Sequence, residues 1–419
     1  MEFLAIGIFI LGYLAIVLEH PIHINKSASA LITGILLWVL IALNESHFHL
    51  EELSEHLAEA SEILFFLLGA MTIVELIDAH QGFRTVSKFI KTKNPVLLLW
   101  ISALVTFFLS ALLDNLTTSI VMVTLLRKLI SNSELRKYYA GMVIIAANSG
   151  GAWSPIGDVT TTMLWIGGQI SAVGIVKSII IPSLISLFIP LFVAGNFVKN
   201  EKIGTSMKEE PQTPRQEKEG KIILTVGILG FLSVPIFKTI THLPPYMGIL
   251  LVLGIVWVIA ELMHKEKEPD EKKFVTVAHA LSKIDSSSIL FFLGILLAIG
   301  GLQYLGYLSE LATYLNSQFD NLDIIIFLIG IGSAIVDNVP LVAASMGMYD
   351  LSTYPMDHRI WEFLAYCAGT GGSILIIGSA AGVTVMGMEK IDFMWYAKKI
   401  GWIAFLGYAA GAAWYVFMH

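Results

Sequence analysis

Apolar runs long enough to cross a bilayer recur from one end of this chain to the other, at 3–18, 28–43, 63–77, 96–113, 175–198, 222–236, 247–263, 289–308 and 395–417. A hydrocarbon core about 30 Å thick takes roughly 20 residues of helix. Inside lipid every backbone amide and carbonyl must find its partner within the protein, so helices and closed barrels are the structures that span. A barrel needs short strands of alternating polarity, and that pattern is missing. With 56% hydrophobic and 14% charged residues over 419 positions, the composition excludes an ordinary soluble domain. The expected class is an all-α polytopic membrane protein with about 10 transmembrane helices.

The first apolar run carries Glu2, lacks a basic leading region and ends at Glu19, His20 and Pro21, so it reads as a retained helix and not a cleaved leader. The single Cys367 excludes an internal disulfide and a cysteine metal site. The net charge of −7 is spread over loops and gives no reason to expect nucleic acid as a partner.

Basic residues orient the chain, because cytoplasmic loops are enriched in Lys and Arg. With the N-terminus outside and 96–130 folded as a re-entrant hairpin, 23 of the 26 Lys and Arg fall inside, leaving Lys177, Lys238 and Arg359 outside. The stretch 44–62, with six Glu and no Lys or Arg, suits the outer side. Were 96–130 two full spans instead, its polar tip would be ordinary surface loop.

Within the apolar sequence, two sets of polar residues recur in the same order. Asp114, Asn115, Leu116, Thr117 and Thr118 precede Asn148, Ser149, Gly150 and Gly151, then Gly157 and Asp158. Asp337, Asn338, Val339 and Pro340 precede Gly369, Thr370, Gly371, Gly372 and Ser373, then Gly378 and Ser379. Gly69 and Gly294, Asp114 and Asp337, and Gly150 and Gly371 lie 225, 223 and 221 residues apart. These near-constant offsets predict an internal repeat. Each unit would hold five crossings, an odd number, so the second would be inverted relative to the first. The expected organisation is a first unit over 1–198 (hairpin 96–130, broken helix 138–168), a charged linker over 199–221, and a second unit over 222–419 (hairpin 323–349, broken helix 360–388).

A carboxylate in hydrocarbon is costly, so Asp114, Asp158 and Asp337 read as functional. Irregular backbone at membrane depth survives only where protein or a cavity satisfies it. Asp114, Asn115, Thr117, Asn148, Ser149, Asp158, Thr160 and Thr161 from the first half, with Ser333, Asp337, Asn338, Thr370 and Ser373 from the second, could then offer carboxylate, amide, hydroxyl and carbonyl oxygens. Hard cations take such ligands. Burial and a neighbouring like charge favour a neutral carboxyl, which lets protons compete with Na+ or Li+ for one site. Neither cluster contains Lys or Arg, which argues against an anion. Glu75, inside an apolar run, is a candidate proton relay or helix-pairing residue, and Glu62 a candidate access residue. Ser102, Thr106 and Ser110 read as packing. His47, His49 and His56 lack the tight spacing of a metal motif. The Trp at 38, 100, 257, 361 and 395 read as interface belt or packing.

The segments 113–119 and 148–162 resemble the signature segments of NhaD-type Na+/H+ antiporters, members of the ion transporter superfamily that also includes divalent-anion/Na+ symporters and arsenite permeases. The run at 150–158 is the most specific part, and the symporter relatives carry a Ser-Asn-Thr tip where this chain has Asp114 and Asn115. The resemblance implies a homodimer in the inner membrane with a mobile transport domain working by elevator-like alternation, activity favoured at alkaline pH, and no cofactor beyond the transported Na+ or Li+ and H+. It places functional positions at Asp114, Asn115, Thr117, Asn148, Asp158, Thr160, Thr161, Ser333, Asp337, Asn338, Thr370 and Ser373, and raises the weight on Glu62. The alternatives are a Na+-coupled symporter of a small anion such as a dicarboxylate, told apart by substrate uptake, and an intramembrane aspartyl protease with Asp114 and Asp158 as its dyad, told apart by peptide cleavage.

Overall fold

The computed structural model describes residues 2–44, 48–87, 92–203, 213–265, 274–319 and 321–419. His47, and the basic residues Lys88, Lys91, Lys208, Lys267, Lys272 and Lys273 used in the charge sorting, lie outside the described residues.

The polytopic helical class expected from composition is what the structure contains: among the described residues there are helices and no strands. In the first half the longer helices are α1 (Glu2–Val17), α2 (Lys26–Asn44), α3 (Leu50–Ala79), α4 (Pro95–Ser110), α5 (Asn115–Leu129), α6 (Ser133–Ala152), α7 (Val159–Ile166) and α8 (Ala172–Val198). Those of the second half include α9 (Pro214–Thr241), α10 (Pro245–Met263), α11 (Ser286–Tyr304), α12 (Leu322–Gly332), α13 (Asn338–Met348), α14 (Arg359–Gly371), α15 (Ala380–Glu389) and α16 (Trp402–Met418). Seven helices among the described residues are long and apolar enough to span: α2, α3, α8, α9, α10, α11 and the Phe393–Met418 stretch that ends in α16. Of the linker at 199–221, 204–212 lie outside the described residues; Thr213 caps α9 through a reciprocal bond with Gln216.

Two close approaches set the frame around the polar clusters. At the crossing of α2 and α11, a Cβ on Gly294 would meet the Ala30–Leu31 backbone, and one on Gly34 would meet the Gly294 carbonyl. Small residues here let two backbones touch, the packing that substitutes for a hydrophobic drive between helices in lipid. The Ser27 hydroxyl donates to the Ser287 carbonyl at 2.6 Å and the Trp38 indole to the Leu297 carbonyl at 2.9 Å, holding the same pair of helices along their length. The second approach is between the short helices. A Cβ on Gly150 of α6 would strike the Phe107 carbonyl of α4, and one on Gly371 of α14 would strike the Gly330 carbonyl of α12.

At the far end of α5, Glu389 of α15 is fully buried and receives Arg127 Nε and Arg136 Nε at 2.6 Å each, one on each carboxylate oxygen. This clamp joins the last turn of α15 to the end of α5 and the start of α6.

Candidate functional site

Four short helices start inside the protein, and each starts on one of the sequence-predicted polar residues or its counterpart. Asp114 caps α5, its Oδ1 accepting from the Thr117 amide at 2.8 Å. Asp158 caps α7, accepting from the Thr160 amide at 3.4 Å. Asp337 caps α13, accepting from the Val339 amide at 3.2 Å, and Ser379 caps α15, accepting from the Gly382 amide at 3.1 Å. Asp and Ser are favoured at such positions because the side-chain oxygen satisfies an amide the helix cannot. The positive end of the helix dipole also stabilises an anionic oxygen there. The chemistry-bearing residues are therefore the same ones that start the half-helices.

Hydrogen bonds merge the two clusters into one. Asn115 Nδ2 donates to Asn148 Oδ1 at 3.1 Å, and Asn148 Nδ2 donates to the hydroxyls of Ser373 at 2.9 Å and Ser379 at 3.0 Å. From the second half, Asn338 Nδ2 donates to Asp158 Oδ2 at 3.3 Å. Asn148, Asp158 and Ser373 are buried, and Asp114 and Asp337 are half-buried. Thr161 and Thr118 bury hydroxyls with no hydrogen-bond partner among the described residues, leaving oxygens beside the capped turns. Asn115 and Thr160 are buried in the same turns, and Thr117 is half-buried.

Other predicted residues are turned to different tasks. Ser149 is hydrogen-bonded to Ser186 of α8 at 2.9 Å. The Thr370 hydroxyl donates back to the Tyr366 carbonyl at 2.6 Å on its own helix. The Ser333 hydroxyl donates to the Ala368 carbonyl at 2.9 Å, tying the end of α12 to α14. Ser110, which reads as packing in the sequence, does the matching thing in the first half, donating to the Ala147 carbonyl at 2.7 Å. Glu62 lines a cavity of about 510 Å³ together with His56, Glu59, Gln303 and Asp350. The floor of that cavity includes Met163 of α7 and Ala343 of α13, so it reaches the helices that start at Asp158 and Asp337. At its mouth, the Ser352 hydroxyl and then the Thr353 amide, at 3.0 Å, donate to Asp350 and hold its carboxyl below the usual carboxylate range, so the mouth stays anionic. Glu75 is half-buried on α3, within electrostatic reach of Asp114 and Lys283. His49 and His56 join no group of three potential metal ligands among the described residues.

The expectation of a centre without a cationic side chain does not hold. The clusters lack Lys and Arg in their own segments, but the fold brings Lys26, from the first turn of α2, to 3.0 Å from Asp337 Oδ2. Its ammonium also lies 4.4 Å from the centre of the Phe291 ring. The sequence signal was faint: a lysine at a helix start reads as an interfacial side chain, and its partner is 311 positions away.

A sequence profile described as citrate transporter matches residues 13–362. The chain belongs to that family. Within reach of it, the chain is similar to sodium/proton antiporter 2 of Arabidopsis thaliana, 48% identical over 98% of both chains. It is 49% identical to sodium/proton antiporter 1 of the same plant, over 98% of this chain and 72% of the relative. It is 30% identical to the Na(+)/H(+) antiporter NhaD of Alkalimonas amylolytica, over 98% of this chain and 89% of the relative. Membership of this family makes the chain a multi-pass membrane transporter.

Proposed function

We propose that this chain exchanges Na+ or Li+ for H+ across the membrane. The observation that carries the reading is the fusion of two polar clusters into one buried centre, with Asp114, Asp158 and Asp337 each at the start of a half-helix. Such a carboxylate can hold a proton or help to strip a cation of its water, but not both at once. The capping amides and helix dipoles stabilise the ionised form and offset part of its desolvation. The Thr118 and Thr161 hydroxyls, without hydrogen-bond partners among the described residues, offer further oxygens of the kind a hard cation takes. The names of the relatives, sodium/proton antiporters, point the same way.

In this reading Asp114 and Asp158 bind the cation or protons in alternation, with Asn115, Thr117, Asn148, Thr160 and Thr161 around them. Asp337, Asn338, Thr370 and Ser373 complete the centre from the second half, and Ser149 and Ser333 brace it. The cavity lined by Glu62 is the approach from the outer side. The halves act as inverted repeats. Supporting this, Ser110 and Ser333 make the same bridge, Gly150 and Gly371 the same close approach, and Asp114 and Asp337 each cap a half-helix. We take the working form to be an inner-membrane homodimer with its N-terminus outside, alternating access by an elevator-like movement.

Coupled uptake of a small carboxylate such as citrate is the second reading, favoured by the family's description and by Lys26 at the centre's edge. It is the weaker one, because the Lys26 ammonium already faces Asp337 and leaves no net positive charge for an anion. The test is acridine-dye dequenching in everted vesicles. Na+ is expected to release the proton gradient with the native chain and not with Asp114→Asn; native-like dequenching by that variant overturns the assignment. Uptake of labelled citrate would establish the second reading.

A further inference from the structure

Resting on the antiport reading, we infer that Lys26 is a tethered cation that occupies Asp337, keeps that carboxylate neutralised and so limits how tightly the centre holds Na+. Both oxygens of Asp337 are engaged: Oδ1 by the Val339 amide at 3.2 Å and Oδ2 by Lys26 Nζ at 3.0 Å. Each oxygen keeps a second lone pair, but a metal cation at Asp337 would sit against the ammonium that lies 3.0 Å from Oδ2, so the two compete for the one negative charge. Three carboxylates with one ammonium leave two for exchange, at Asp114 and Asp158.

The pair is not what docks α2. That helix is held independently by the Ser27–Ser287 bond, the Trp38–Leu297 bond and the backbone approach at Gly294. Its first turn is capped by Asn25, which accepts from the Ser27 amide at 2.8 Å. The lysine is thus free to serve the site. Its side chain is 28% exposed and that of Asp337 19%, so water can reach the pair and an exchange of partners is open to it. The face of Phe291 supports the ammonium beside the carboxylate and keeps it close when displaced. Glu19 and Asp285 are the other charges near it.

The experiment is equilibrium binding of radioactive Na+ to the purified full chain, with monodispersity checked by size exclusion. Lys26→Met is expected to lower the half-saturating Na+ concentration about tenfold, equivalent to about 1.4 kcal/mol. Lys26→Arg is expected to stay within about threefold of native, equivalent to less than 1 kcal/mol. Asp337→Asn, which leaves the ammonium facing the centre alone, is expected to weaken binding, and the double variant Lys26→Met/Asp337→Asn to bind more tightly than Asp337→Asn alone. Should Lys26→Met not stay monodisperse, Lys26→Gln carries the same expectation. Native affinity in both Lys26→Met and Asp337→Asn overturns the inference and leaves the antiport reading standing. Absence of Na+ binding by the native chain overturns that reading, and the inference with it.

Discussion

Asp114 sits with φ at 148° and ψ at 162°, a backbone region that is almost the preserve of glycine. Its counterpart Asp337, with φ at −51°, is relaxed. Holding a carboxylate in a conformation that costs about 1–3 kcal/mol makes sense if the side chain is needed there. Asp114→Gly is therefore expected to raise the melting temperature, by an amount worth about 1 kcal/mol, and to abolish exchange. Asp114→Asn keeps the cap and the strain, so it should melt near the native temperature and be equally inactive. A lower melting temperature for the glycine variant contradicts this account of the strain. At this scale the carboxylates were legible because an Asp inside an apolar run has no cheap structural use. Lys26 was not, since only the fold reveals a partner so distant in the chain.

Among elements, the half-helices stop and start where Gly, Pro, Asn and Asp interrupt the apolar pattern. The residues that carry the chemistry also cap the helices, so the same positions mark the centre and the helix starts. The clamp at Glu389 lacked any such signal: a Glu at the end of an apolar stretch, next to Lys390, reads as a loop charge. Yet it is the most buried carboxylate bridge among the described residues, with two arginines on its two oxygens. Removing the carboxylate strands two guanidiniums whose side chains are 43% and 16% exposed, so water offsets part of the about 3–5 kcal/mol that breaking a fully buried pair costs. Glu389→Gln is expected to lower the melting temperature by several degrees, measured by scanning fluorimetry in detergent, while leaving Na+ affinity within about twofold, under 0.5 kcal/mol. An unchanged melting point would mean that the clamp does not hold α15 to α5 and α6. Gly294→Val tests the other joint. The added side chain meets the α2 backbone, so the protein should lose monodispersity; a well-behaved Gly294→Val chain contradicts the close-packed crossing.

For the whole molecule, the two halves are stitched through amides. Asn148 alone reaches Asn115, Ser373 and Ser379, and Asn338 reaches Asp158. Asn148→Ala leaves buried polar partners unmatched, a cost of about 1–3 kcal/mol, and is expected both to lower the melting temperature and to abolish Na+ binding. The helical membrane class was readable from composition, because spanning helices require long apolar runs. How the halves meet was not, because side-chain bonds between positions 180 or more residues apart leave no local pattern. The most direct test of the central claim is reconstitution of the purified chain in proteoliposomes, with an internal pH dye read after an imposed Na+ gradient. The native chain is expected to move protons against Na+, and Asp158→Asn to move none. Proton movement by Asp158→Asn at the native rate would contradict exchange at this centre.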